Sequence, residues 1–210
     1  MNTMKWLLKR EYWEHKGGFV WVPVILSTLM LLATLASVIA GKAMGKFSNF
    51  QVDGEHVTLS EAGKHVSPED QVKIVEGLSA MFVGPVAPLI IALSFVLFFY
   101  LIGALYDDRS NRSVLFWKSL PVSDTATVVS KVVWALVVAP LITLAVAIAT
   151  YIPFLLLTLV AMSMAGLNLF GAVLSESRTY LMPLEFLGTL PVYMVWALPT
   201  VGWLLMVSAW

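Results

Sequence analysis

The chain has 210 residues, of which 59% are hydrophobic and 12% are charged, whereas roughly 25% of the residues in a soluble domain are charged. This composition does not fit a water-soluble domain or a disordered chain, and it predicts an integral membrane protein. The formal net charge of +0 gives no reason to expect a nucleic-acid partner. The absence of cysteine excludes disulfides, thiolate metal sites and cysteine nucleophiles.

Four long segments contain no charged residue. They comprise 25 residues after Lys16, 30 after Glu76, 44 after Lys131 and 25 after Glu185. A helix needs about 20 apolar residues to cross the hydrocarbon core, so three of these segments fit one span each. The first is too long, and begins too far into the chain, for a cleaved signal peptide. The 44-residue segment holds either one proline-interrupted span with an interfacial stretch, or two spans hinged near residues 151–153.

We therefore expect an all-α integral membrane protein with four transmembrane helices, five being the alternative, in a single transmembrane domain covering residues 1–210. The predicted spans are residues 19–41, 80–105, 126–160 and 187–209. Pro140 and Pro153 are expected to kink the third span. Lys131 lies near its start, where a lysine can extend its amine to the membrane surface. The spans otherwise lack ionisable residues, which argues against an ion-coupled transporter.

The distribution of Lys and Arg predicts the orientation. Residues 1–16 contain four basic residues, and residues 107–131 contain another four. Residues 42–76 also contain four, but six acidic residues outnumber them. We therefore expect the N-terminus and the 107–124 loop on the cytoplasmic side of the cell (inner) membrane, and the 42–76 loop outside.

Residues 1–17 are predicted to form an amphipathic helix on the inner membrane surface. Apolar residues recur at helical spacing, and Gly17-Gly18 is expected to end the helix before the first span. The residues expected at the membrane surface are Leu7, Leu8, Lys9, Arg10 and Trp13. A basic flank without a helix of its own is the alternative.

The 107–124 loop combines a dense cluster of charges with the apolar run Val114–Trp117. Ser123 or Asp124 suits the N-cap of the helix that follows. A short amphipathic element with aromatic and Arg residues is typical of a protein–protein contact. The alternative is a surface loop whose aromatic side chains enter the headgroup layer.

The 42–76 loop is expected to hold a short helix that begins at Ser67–Asp70 and leads into the second span. His56, Glu61 and His65 match no metal-ligand spacing, so we expect no metal site. The chain contains no zinc-protease helix, phosphate-binding loop or serine nucleophile motif, so we expect neither an enzyme nor a cofactor.

Two segments together resemble a known family. The N-terminal LLKREYWEHKGG and the block ALYDDRSNRSVLFWKSLPVSDTATVVSKVVWALVVAP resemble the permease subunits of the type-2 ABC exporter superfamily. The first matches that family's surface elbow, and the second its inner loop, with an acidic and Arg cluster, a short coupling helix, a Leu-Pro-Val-Ser turn and a following Lys. The terminal GWLLMVSAW resembles the inner end of the family's fourth span.

The resemblance implies a short cytoplasmic coupling helix that binds a separate ATP-binding subunit. It also implies that the chain forms a dimer with a second copy of itself or with a related permease. Permeases of this family have six spans, so this chain is expected to lack about two spans at its C-terminus. The expected contact residues are Asp107, Asp108, Arg109, Arg112, Leu115, Phe116, Trp117, Lys118 and Pro121.

Two other classes of function fit some of the same features. A membrane scaffold or assembly protein would contain the same spans and a partner-binding loop. A membrane enzyme acting on lipids would need an acidic cluster, for which Asp107, Asp108 and Asp124 are the inner-face candidates.

Overall fold

A computed structural model describes residues 3–43, 50–52, 55–57, 68–110, 123–164 and 166–210. Its long elements are helical, and four helices are long and apolar enough to cross a membrane. These spans are Met4–Ala43, Val72–Ser110, Asp124–Met164 and Arg178–Ser208. The structure thus confirms the all-α membrane class with four spans, and the 44-residue uncharged segment contains one span rather than two.

The first span is continuous with the N-terminal helix. Helix α1 (Thr3–Lys16) passes through a π-helical turn (Gly17–Trp21) into α2 (Val22–Ala43). The predicted break at Gly17-Gly18 is therefore absent. At Gly18 the first span instead approaches the second span closely, because a Cβ atom at this position would lie 3.0 Å from Cγ1 of Val96.

A short β-hairpin and a helix follow. Strands β1 (Phe50–Val52) and β2 (Glu55–Val57) pair antiparallel, with Gln51 opposite His56. Helix α3 (Pro68–Ser79) begins at the predicted proline. It continues through a 3₁₀ turn (Ala80–Phe82) into α4 (Val83–Gly103), and the short α5 (Tyr106–Ser110) ends the second span.

The third span also contains a π-helical turn. Helix α6 (Asp124–Val133) leads through Trp134–Val138 into α7 (Ala139–Met164). Ser123 is the N-cap, as predicted, and its Oγ accepts a hydrogen bond from the Ala126 N–H at 3.2 Å. Gly166, at φ 89°, follows the span. Helix α8 (Phe170–Ser175) precedes α9 (Arg178–Ser208), which forms the fourth span.

Both π-helical turns come two residues before a proline. The Val22 N–H donates to the Gly17 carbonyl and the Ala139 N–H to the Trp134 carbonyl, each five residues back. Pro23 and Pro140 come next, and a proline ring in a regular α-helix clashes with the carbonyl four residues earlier. The wider π turn gives that carbonyl room. The helix therefore continues through Pro140, while Pro153 lies inside α7.

Two compact units divide the described chain. Unit 1 comprises Met1–Ile25, Pro88–Val146 and Leu187–Trp210, and unit 2 comprises Leu26–Ala87 and Ala147–Phe186. In unit 2, Phe82 is fully buried, with its ring centroid 5.1 Å from those of both Tyr151 and Phe186. Unit 1 has a larger core, in which Phe19 packs edge-on against Tyr100 and Trp134.

Candidate functional site

Lys131 lies inside unit 1 rather than at a membrane surface. Its residue is 1% exposed. Its Nζ lies 3.0 Å from Oε1 of Glu11 on α1 and 3.2 Å from Oδ2 of Asp108 on α5. The expectation that this lysine extends to the membrane surface is wrong, because two carboxylates satisfy its charge within the protein. One side chain thus links the starts of spans one and three to the end of span two.

Glu11 is the most deeply buried acidic residue among the described side chains, at 1% exposure. Its Oε1 accepts a hydrogen bond from Lys131, and its Oε2 accepts one from the Tyr100 hydroxyl at 2.7 Å. Nδ1 of His15, one turn further along α1, lies 3.7 Å from the same Oε2. Both carboxylate oxygens therefore have a hydrogen-bond donor, as a buried charge requires.

Arg10 extends the ion pairs toward the surface. Its Nη2 lies 2.7 Å from Oδ1 of Asp108, and its Nε lies 2.7 Å from Oε1 of Glu14. Asp108 therefore accepts from Arg10 with one oxygen and contacts Lys131 with the other. We call Arg10, Glu11, Tyr100, Asp108 and Lys131 the ion network. Its two acidic and two basic side chains balance in charge.

The end of the fourth span is attached to the same region. The Ser208 Oγ accepts hydrogen bonds from the backbone N–H groups of Leu105 (2.9 Å) and Tyr106 (3.2 Å). Nη2 of Arg109 donates a hydrogen bond to the Ser208 carbonyl at 2.8 Å. A serine hydroxyl thus satisfies two backbone donors in the turn between α4 and α5. The ends of spans two and four are fixed together, next to the ion network.

A cavity of about 220 Å³ lies beside the network. It is lined by Arg10, Glu14, His15, Ala104, Asp107, Asp108 and Lys131. Ligand atoms of Glu11, Glu14 and His15 lie within 4.8 Å of one another. A metal ion there would compete with Lys131 for Glu11 and with Arg10 for Glu14, so we assign no metal to this cluster.

The predicted ATPase-contact residues divide into two groups. The structure describes Asp107, Asp108 and Arg109. Asp108 belongs to the ion network, and Arg109 donates a hydrogen bond to the Ser208 carbonyl. Asp107 is exposed, and its Oδ2 would lie 2.8 Å from a Cβ atom at Gly103. The remaining predicted contacts, which include the predicted coupling helix, lie outside the described residues: Arg112, Leu115, Phe116, Trp117, Lys118 and Pro121.

The residues predicted at the membrane surface lie in different environments in the structure. Leu7 is buried within unit 1, and Leu8 packs against its core. Arg10 belongs to the ion network. Lys9 and Trp13 are exposed. The apolar stripe of α1 therefore packs against protein, and the exposed surface of this helix is a different one.

Sequence reasoning did not identify Glu11, Tyr100 or Ser208 as site residues. Two features of the sequence nevertheless indicated a buried ion pair. Lys131 follows the Ser123 cap by two helical turns, so it enters the apolar part of the span, where a charge needs a partner. Glu11 lies four residues after Leu7, so it shares the stripe that α1 buries.

No protein-family model, curated protein or solved structure matches this chain.

Proposed function

We propose that the chain is the membrane-spanning permease subunit of an ABC-type exporter, in which a separate ATPase subunit drives the movement of a substrate across the cell membrane. The observation that supports this best is the attachment of both ends of the 111–122 segment. Asp108 and Arg109 precede this segment and Lys131 follows it, and all three are bonded to other helix ends in unit 1.

These attachments suit a loop that receives force. If a partner moves residues 111–122, the displacement reaches α5 through Asp108 and α6 through Lys131. From there it reaches α1 through Glu11 and the end of α9 through Ser208. Four spans then respond together rather than one loop bending alone. Transport by such a device requires two packings of the spans, biased by the nucleotide state of the partner.

The energy must come from the partner, because the sequence contains no phosphate-binding loop. Phe116 and Trp117 provide the apolar anchor of the proposed contact, and the neighbouring basic residues orient it. The proposal includes a cytoplasmic N-terminus, in line with the basic residues of 1–16 and 107–131. It also includes a dimer with a second copy or a related permease.

The lipid-enzyme alternative loses one of its three candidate carboxylates. A general acid or base must exchange its proton with a substrate. Asp108 instead contacts Arg10 at 2.7 Å and Lys131 at 3.2 Å, so two cations hold its carboxylate. The other two candidates, Asp107 and Asp124, are exposed near the starts of different helices.

The proposal is tested by affinity purification of the full chain from membranes, with quantitative mass spectrometry of the proteins that accompany it. We expect a stoichiometric ATPase with the wild type and at least a tenfold loss in the Phe116→Ala/Trp117→Ala variant. The matched control is Phe99→Ala/Trp203→Ala, which removes the same two side-chain types from exposed positions within the spans.

Extraction with alkaline carbonate verifies that both variants remain in the membrane. If no ATPase accompanies the wild type, or if the Phe116 and Trp117 variant retains it, the exporter proposal is wrong. The scaffold alternative would then account for the spans and the loop.

A further inference from the structure

One surface of α1 is exposed along its whole length. Its members are exposed, although the Tyr12 ring also packs edge-on against Trp134 of the core, and they are basic or aromatic: Lys5, Trp6, Lys9, Tyr12, Trp13 and Lys16. At 3.6 residues per turn these six positions fall within an arc of about 120°. We call this surface the Lys/Trp face.

Other side chains of α1 contact unit 1 or form ion pairs. Leu7 and Glu11 are buried in unit 1. Arg10 and Glu14 form an ion pair at 2.7 Å beside the Lys/Trp face. The two acidic residues of α1 thus both lie outside the arc, and both have basic partners within the protein. The Lys/Trp face therefore carries three positive charges without an acidic side chain of α1 among them.

The exposed aromatic rings are large and are paired with lysines. Trp6 is 59% exposed and Trp13 is 57% exposed. The Lys9 Nζ lies 5.2 Å from the centre of the Trp6 ring, and the Lys16 Nζ lies 5.0 Å from that of Trp13. Each contact is within cation–π range. Tryptophan and lysine together are typical of the layer where lipid headgroups meet water.

The position of this surface in the chain argues for a lipid partner. The helical backbone runs without interruption from α1 through Gly17–Trp21 into the first span. Because Lys16 directly precedes the 25 uncharged residues of the first span, the Trp13 and Lys16 end of the Lys/Trp face lies next to the membrane boundary, and its positive charge is complementary to anionic headgroups. We infer that the Lys/Trp face binds the headgroups of anionic phospholipids, with the lysines contacting phosphate and the tryptophan rings lying at headgroup depth.

This inference does not depend on the exporter proposal, because it concerns a surface opposite the ion network on α1. A lysine near an anionic membrane contributes about fivefold in affinity. Neutralising two of them should lower the preference for anionic lipid by about 25-fold. The interaction should also weaken at high salt, because headgroup and lysine are both exposed to water.

The test uses the purified full chain in a neutral detergent, with phosphatidylglycerol or phosphatidylcholine added in graded amounts. A lipid that binds the folded state raises the melting temperature. We expect a larger rise with phosphatidylglycerol than with phosphatidylcholine for the wild type. The Lys9→Gln/Lys16→Gln variant should lose this difference while melting normally without lipid, because both side chains are exposed.

The matched control is Lys42→Gln/Lys73→Gln, which removes two charges from other exposed positions and should keep the difference. The inference is overturned if the wild type responds equally to both lipids, which would leave an acidic protein as the alternative partner. It is also overturned if the Lys9 and Lys16 variant responds as the wild type does. Neither result bears on whether an ATPase binds residues 111–122.

Discussion

Replacing Lys131 by methionine should destabilise the protein strongly. Methionine keeps the length and the apolar stem of the side chain but removes the charge. Glu11 then keeps the Tyr100 hydroxyl at 2.7 Å and the more distant His15 Nδ1 at 3.7 Å, while Asp108 keeps Arg10 at 2.7 Å. The side chains of Lys131 and Glu11 are each 2% exposed, so water cannot replace the lost partner.

The expected size follows from this geometry. Removing one member of a buried ion pair costs about 3–5 kcal/mol, mainly because the other charge stays buried without a partner. Asp108 remains paired and its side chain is 14% exposed, so most of the cost arises at Glu11. We therefore expect a loss near the lower limit, about 3 kcal/mol in the free energy of unfolding, or roughly a hundredfold in the folding equilibrium.

A double variant tests whether the unpaired charge of Glu11 causes this loss. In Lys131→Met/Glu11→Gln both charges are absent, and Asp108 and Arg10 still balance each other. We expect this double variant within about 1 kcal/mol of the wild type, because replacing both members of a buried pair is close to neutral. The control is Lys42→Met, which removes an exposed lysine and should change stability by less than about 0.5 kcal/mol.

The assay is unfolding by increasing mole fraction of sodium dodecyl sulfate in mixed micelles, followed through tryptophan fluorescence. The reasoning is refuted if Lys131→Met unfolds within about 1 kcal/mol of the wild type. It is equally refuted if the double variant is less stable than the Lys131→Met single variant, since the unpaired charge would then not be the cause.

Two further predictions concern the same end of unit 1, and a third concerns the orientation of the chain. Tyr100→Phe should cost about 2 kcal/mol in the same assay, because it removes a hydrogen bond to a buried carboxylate; a loss below about 0.5 kcal/mol would contradict this. Ser208→Ala should cost about 1–3 kcal/mol by leaving two backbone N–H groups without an acceptor, whereas Ser37→Ala, at an exposed serine, should cost less than about 0.5 kcal/mol. The chain has no native cysteine, so single introduced cysteines can report its orientation. An impermeant maleimide added to intact cells should label Glu55→Cys, and it should reach Ala209→Cys only after permeabilisation. The reverse pattern would invert the proposed topology.

Three of the four spans could be predicted from the uncharged segments, because charge is excluded from the hydrocarbon core over a length that a helix must cover. For the 44-residue segment this rule left one span or two. The helix start at Pro68 and the cap at Ser123 followed from local backbone chemistry in the same way. These features depend only on residues close together in the chain. Local signals were therefore sufficient for them.

The ion network was not predicted because its members are distant in sequence. Glu11 and Lys131 are 120 positions apart, and no local pattern indicates that they meet. The apolar stripe of α1 was assigned to the membrane, although a glutamate lay on it. A carboxylate on a buried stripe is better explained by a protein partner than by lipid.

Two local features were also missed. The glycine pair at Gly17-Gly18 was interpreted as a helix end, whereas the structure contains a π turn ahead of Pro23. Sequence spacing does not distinguish a helix end from a turn with a wider hydrogen-bond pattern. The β-hairpin had a usable signal, because an Asp-Gly pair at residues 53–54 follows the alternating apolar and polar side chains of residues 50–52.

The central claim is that this chain transmits the energy of a separate ATPase, and ATP hydrolysis by the affinity-purified full chain tests it most directly. The sequence contains no phosphate-binding loop, so the proposal assigns the hydrolysis to a bound partner. We predict sustained hydrolysis in the wild-type and Phe99→Ala/Trp203→Ala preparations, and at least a tenfold lower rate in the Phe116→Ala/Trp117→Ala preparation. A wild-type preparation without ATP hydrolysis, or equal rates in all three, would contradict the claim.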